Sequence, residues 1–164
     1  MSDPVVIDAS PLILLARSRQ IPLLRHLHRP VLVPQPVERE IRARGPSDPT
    51  ARTLNETAWL EIASVPMIAD DILAWDLGPG ESSVLTLARS RPGSIALMDD
   101  LAGRRCAQTL RIPLLGTVGL VLLAKRNDAI PSARAVLAVL KEQGMYLSDS
   151  VLDSALSLVG ESWS

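Results

Sequence analysis

Apolar residues along the chain recur in two distinct periods. Short unbroken runs rich in β-branched residues stand in "PVVIDAS", "RPVLVP" and "SIALMDD", with "IPLLGT" a further short run. Such runs predict strands buried on both faces of a parallel sheet. "WLEIASV" reads as a possible edge strand. Between these lie segments with helical spacing. "SPLILLARSR" predicts a helix capped by Ser10 with Pro11 at its first position, and "IPLLRHL" a second, short one. "QPVEREIRAR" places Val37 and Ile41 four apart, "DPTARTLNETAW" reads as helix, and "RGPSDPT" is a breaker-rich connection between these two. "GPGESSVLTLARS" presents Val84, Leu85, Leu87 and Ala88 as an apolar face. "LAGRRCAQTL" follows the fourth run, and three helices close the chain: "VGLVLLAKRN", "SARAVLAVLKEQ" stopped by Gly144, and "SDSVLDSALSLV" capped by Ser148 and stopped by Gly160.

Strands alternating with helices predict an α/β protein with a mostly parallel sheet covered on both sides. A length of 164 residues, 47% hydrophobic and 21% charged, fits a single domain spanning the whole chain. No apolar run is long enough to span a bilayer. Asp3 stands where a signal peptide would carry basic residues, and Cys106 is the single cysteine. Both features predict a cytoplasmic protein without disulfides. A net charge of −1 argues against a protein that coats nucleic acid electrostatically, although local recognition needs only a local basic face. All basic residues except Lys125 and Lys141 are arginine.

In open parallel sheets, ligands bind beyond the carboxyl ends of the strands. Asp8 follows "VVI", Asp99 and Asp100 follow "IALM", and Thr117 follows "PLLG", so all four are expected along one edge. Glu81 falls in the first turn of its helix, a place the helix dipole favours for an acid in any case. Glu38 and Glu40 flank the Val37/Ile41 stripe symmetrically, and periodicity alone does not choose between them. Carboxylates gathered at one site repel unless a cation compensates. Oxygen-only ligands suit Mg2+ or Mn2+, and one cysteine with two dispersed histidines, His26 and His28, gives zinc little support. A divalent cation with open water positions suits phosphodiester hydrolysis, and no serine or cysteine nucleophile stands in a persuasive setting. A receiver-type phosphotransfer domain fits poorly: "IDAS" carries one acid and "LLGT" no lysine. Trp59, Trp75 and Tyr146 are scattered and read as packing residues.

With these residues in view, the chain resembles PIN-domain proteins, metal-dependent nucleases related to toxin ribonucleases of bacterial toxin–antitoxin pairs. The resemblance runs from Val5 to Glu161 through "VVIDASPLILLAR", "VLVPQPVEREI", "LGPGESSVLTLA", "MDDLAGRRCAQ", "PLLGTVGLVLLAK" and "YLSDSVLDSALSLVGE". It implies a three-layer α/β/α sandwich and an acid set that binds Mg2+ or Mn2+. Asp8, Glu40, Glu81 and Asp100 match the family's four acids, with Asp99 as a further candidate ligand and Ser10 as the accompanying hydroxyl. Glu81 stands where the family usually has aspartate, and "LAGR" replaces an aromatic that often follows the fourth acid. Arg104 and Arg105 are candidates for substrate phosphate or for pairing with Asp99 and Asp100, and Thr117 for a phosphate oxygen or a bridging water.

The function expected is a Mg2+/Mn2+-dependent endoribonuclease, with RNA as substrate and a toxin role beside an antitoxin partner. The alternative is a non-catalytic module that binds nucleic acid or protein. Val136, Leu137, Leu140, Leu152, Leu156 and Val159 are expected to form core or a homodimer seam.

Overall fold

The computed structural model describes residues 3–164. Among them, β1 (Val5–Ile7), β2 (Val31–Pro34), β3 (Leu60–Ala63), β4 (Ile95–Leu97) and β5 (Leu114–Leu115) form a single sheet. Every pairing is parallel, and the order is β3-β2-β1-β4-β5. The chain builds outward from β1 to β3, then returns to the other side of β1 for β4 and β5. Right-handed crossovers place the connections before and after such a reversal on opposite faces, which gives an α/β/α sandwich. The central strands carry the burial expected of that arrangement: Val5, Val6 and Ile7 are fully buried, as are Ala96 and Leu97.

The helices are α1 (Ala9–Arg17), α2 (Gln35–Arg42), α3 (Pro49–Glu56), α4 (Asp70–Leu73), α5 (Pro79–Ser90), α6 (Leu101–Thr109), α7 (Thr117–Arg126), α8 (Ala133–Glu142) and α9 (Asp149–Ser157). A 3-10 helix covers Ile21–Leu27. α5 packs on β1, β2 and β4, with Val84, Leu85, Leu87 and Ala88 all buried. α4 has no counterpart in the sequence reading. Its four residues are too few to show a period; Ile72 is fully buried, and Asp71 binds Arg89 through two hydrogen bonds of 2.6 and 2.8 Å.

α1 begins two residues earlier than its proline suggests. Asp8 is the N-cap and accepts from the Ala9 N–H at 2.8 Å, while Ser10 already lies inside the helix. Pro11 tolerates this because the first helical turn has no intrahelical partner for its backbone nitrogen.

Leu137, Leu140, Leu152 and Leu156 are fully buried in the monomer, and Val136 and Val159 pack partly buried against them. The closing helices are therefore core. Glu161 fastens them: it accepts from the Ala133 and Arg134 N–H groups at 2.9 and 3.0 Å and from the Ser132 hydroxyl at 3.1 Å. Trp163 donates to Asp149 and Asp153, with the Arg134 guanidinium 5.4 Å from its ring centre. No helix among the described residues is long and apolar enough to cross a membrane.

Candidate acidic site at the sheet reversal

The sheet reverses direction between β1 and β4, the crevice where open α/β sheets place ligands. Ile7 pairs with Leu97, and the Asp8 N–H donates to the Leu97 carbonyl at 3.0 Å. Asp8 therefore leaves β1 level with the end of β4, and Asp99 and Asp100 follow within three residues of that end. Asp8 is 4% exposed, whereas Asp99, Asp100 and Glu40 are exposed and Glu81 is half-buried.

A pocket of about 360 Å3 joins Asp8, Ser10, Glu40, Gly80 and Glu81. Its tightness is set by Gly80. A Cβ there would stand 3.1 Å from Glu40 Oε2 and 3.6 Å from Asp8 Oδ1, so the absence of a side chain admits both carboxylates to the start of α5. The symmetry between Glu38 and Glu40 is broken in the same place. Glu38 is ion-paired to Arg42 at 3.0 Å, while Glu40 lines the acidic pocket.

Burial raises the Asp8 carboxyl to about 7, opposed by the Ala9 N–H and reinforced by the charges of Glu81, Glu40 and Asp100. Glu81 is raised in the same way, by burial and then by Asp100 and Glu40, against a hydrogen bond from the Gly78 backbone. Asp100 thus belongs electrostatically to the acid group, and it also caps α6 by accepting from the Gly103 N–H at 3.1 Å.

Asp99 turns elsewhere. Its Oδ1 accepts from the Thr117 N–H at 2.8 Å and its Oδ2 from the Thr117 hydroxyl. Gly116, the N-cap of α7, has no side chain, and Asp99 supplies the missing acceptor from across the sheet edge. Thr117 is 1% exposed and its hydroxyl proton is given to Asp99, so it positions that carboxylate. Arg104 donates to the Met98 carbonyl at 3.2 Å, and Arg105 is exposed. Among the described residues no ion pair joins either arginine to Asp99 or Asp100. Pairing within "DDLAGRR" is thereby corrected: Arg104 turns back to the strand-end carbonyl.

Sequence reading missed the companion of this pocket. A groove of about 850 Å3 runs beside it, bounded by α1, the start of α7 and the segment between α8 and α9. Ser10 lines both the pocket and the groove. Tyr146, on the groove, is 98% exposed and is not a packing residue, whereas Trp59 and Trp75 do pack against the core. Only the loop composition of "EQGMYLSDS" hinted at this, because an aromatic beside glycine in a connection has no helical face to join.

The donor set is all oxygen and all acidic, which fits a hard divalent cation such as Mg2+ or Mn2+. Buried Asp8 among three other acids is the observation that favours positive charge there. Among the described residues, no three acidic, histidine or cysteine side chains already converge as a finished cage.

An all-parallel sheet between helices, with acids at its reversal point, defines an α/β sandwich with a ligand crevice at its switch point. A family model described as a PIN domain matches residues 4–161, and the chain belongs to the PIN-domain family. No curated protein matches it in sequence.

Proposed function

We propose that this chain is a Mg2+- or Mn2+-dependent endoribonuclease that hydrolyses phosphodiester bonds at the acidic pocket. The observation that carries this reading is Asp8, buried at the sheet reversal and held near a pKa of about 7 among Glu81, Glu40 and Asp100. Asp8, Glu40, Glu81 and Asp100 would hold a divalent cation, which would supply positive charge for activating water and neutralising the substrate phosphate. Asp8 contributes a rigid carboxylate, fixed by the Ala9 N–H at the head of α1. Glu40 lines the pocket from α2, against Gly80, and Glu81 from the first turn of α5. Asp99, anchored on Thr117, flanks the site as an additional acceptor. Ser10 lines the pocket, and Ser10, Arg104 and Arg105 are the residues assigned to substrate phosphate on the family resemblance.

The test is cleavage of single-stranded and structured RNA in Mn2+ by the wild type and by Asp8→Asn. Loss of activity in the variant is expected; equal activity in both overturns the assignment. The toxin role, with a cognate antitoxin and a homodimer as its assemblies, extends the family resemblance. Growth arrest on expression, relieved by the product of an adjacent reading frame, is the expected result, and light scattering reads the mass of each species.

A second reading, a passive nucleic-acid-binding module, draws on Glu81. Glutamate stands there where the family usually has aspartate, and among the described residues no cage is preformed. Calorimetric titration with Mn2+ separates the two: uptake that Glu40→Gln abolishes belongs to the nuclease, and no uptake belongs to the passive module.

A further inference from the structure

We propose that the groove between α1 and the α8–α9 connection is the subsite for a nucleotide flanking the cleaved phosphate, with Tyr146 stacking on its base and Arg17 holding its phosphate. The inference rests on the nuclease reading of the neighbouring pocket and assigns a surface which that reading leaves unused.

Three observations point to this occupant. The first is continuity: Ser10 lines both cavities, so a strand whose phosphate lies at Asp8 passes directly into the groove. The second is charge. Arg17 and Arg104 both line the groove, and among the described residues neither is ion-paired. Arg17 is exposed and takes part in no side-chain hydrogen bond there, so its guanidinium is available for bidentate phosphate contact. The third is chemistry of the walls. Ile13, Leu115 and Val118 give an apolar floor, and Tyr146, 98% exposed, stands at its edge with no packing duty.

An aromatic with its ring in water and arginine beside it matches the recurrent way single strands are held, by base stacking and phosphate contact. A volume of about 850 Å3 accommodates a nucleotide and leaves room for its neighbour. Asp99 also lines the groove and accepts hydrogen bonds, which suits a sugar hydroxyl or a base amino group beside it and disfavours a phosphate there. The phosphate contact therefore belongs to Arg17. A single-stranded occupant is favoured because a base must leave its stack to reach Tyr146.

The experiment measures anisotropy of a labelled eight-nucleotide single-stranded RNA on the full chain carrying Asp8→Asn, so that bound RNA stays whole. Adding Tyr146→Ala is expected to weaken binding roughly tenfold, and Tyr146→Phe to restore it. Adding Arg17→Ala is expected to flatten the dependence of log affinity on log salt by about 0.7, one phosphate contact on a single strand. Both side chains are exposed, so folding is not at stake, and circular dichroism checks it.

RNA binding that ignores both substitutions overturns the subsite and leaves cleavage at the acidic pocket standing. RNA neither bound nor cut by the wild type overturns both readings together. A wild type that sediments as a dimer and becomes monomeric on Tyr146→Ala, with RNA affinity unchanged, puts a second copy in the groove and overturns the proposal.

Discussion

Asp8 carries two obligations that pull in opposite directions. As the N-cap of α1 it must present an oxygen to the Ala9 N–H, and as a 4% exposed acid it must tolerate its own charge. Its carboxyl is raised from 3.8 to about 7, first by burial and then by the neighbouring acids. A folded-state acid with a raised pKa binds its proton more tightly than the unfolded chain does. Its favourable contribution is complete below about pH 4 and is lost as pH climbs to about 7. Asp8→Asn keeps the cap, because asparagine is an equally good N-cap, and removes the charge. In chelator at pH 8 the variant is expected to be more stable than wild type by roughly 1–3 kcal/mol, with the difference vanishing at pH 4. Urea melts at the two pH values check this, and catalysis is expected to disappear from the same variant. Glu38 and Glu40 give a second contrast at this scale. Glu40→Gln is expected to cost about a hundredfold or more in Mn2+-supported cleavage, while Glu38→Gln removes only a half-exposed pair with Arg42, worth about 0.3–0.5 kcal/mol. Parallel rate measurements on the two variants decide it. Periodicity left these two glutamates tied because both flank one stripe, and the family resemblance chose Glu40; in the structure Arg42, one turn on, engages Glu38. Asp99 and Asp100 were legible as a pair with Asp100 the stronger ligand candidate, but the partner of Asp99 was not. That partner is Thr117, eighteen residues away and brought close only by the β4–β5 pairing.

Elements were the most legible scale, since buried strands and amphipathic helices print their periods directly. What escaped were features without a period. α4 is one turn long, and its position is set by the Arg89 pair with Asp71, a contact between side chains eighteen positions apart. The start of α1 was misread because serine before proline is a strong local cue, and the tertiary demand that Asp8 end β1 overrode it. The head of α5 shows how an element serves a site. Gly80 costs helix propensity, and what it returns is room for Glu40 and Asp8. Gly80→Ala is expected to leave stability within about 1 kcal/mol of wild type, because its backbone is ordinary helix. Activity is expected to fall about tenfold or more as the new methyl displaces Glu40. Thermal melting and initial rates, measured side by side, separate the two effects.

At the scale of the molecule, the parallel sheet and the covering of both its faces followed from alternation of element types. The strand order did not, because four buried runs carry no label for their neighbours. The closing tail was equally silent. Glu161 reads as a terminal acid in the sequence, yet it seals the head of α8 from twenty-eight residues away. Its partial burial raises the carboxyl, and the Arg134 and Ala133 N–H groups, the Ser132 hydroxyl and the Lys125 charge together hold it below the ordinary glutamate value. Stability from a lowered acid is present above the unfolded pKa and is lost as pH falls through the folded one. Glu161→Ala is expected to cost about 1–2 kcal/mol at pH 7 and progressively less below pH 4. Denaturant titrations of wild type and variant across that range measure it.

The pairing of Val5 with Ile95 and of Ile7 with Leu97 has a consequence in time. Those partners lie about ninety residues apart, and contacts that close so long a loop form slowly. A growing chain that has emerged only through α5 already holds Asp8, Glu40 and Glu81, yet it lacks the fourth acid and the strand that aligns it. The acid group is therefore completed late, by one long-range event, when β4 takes its place beside β1.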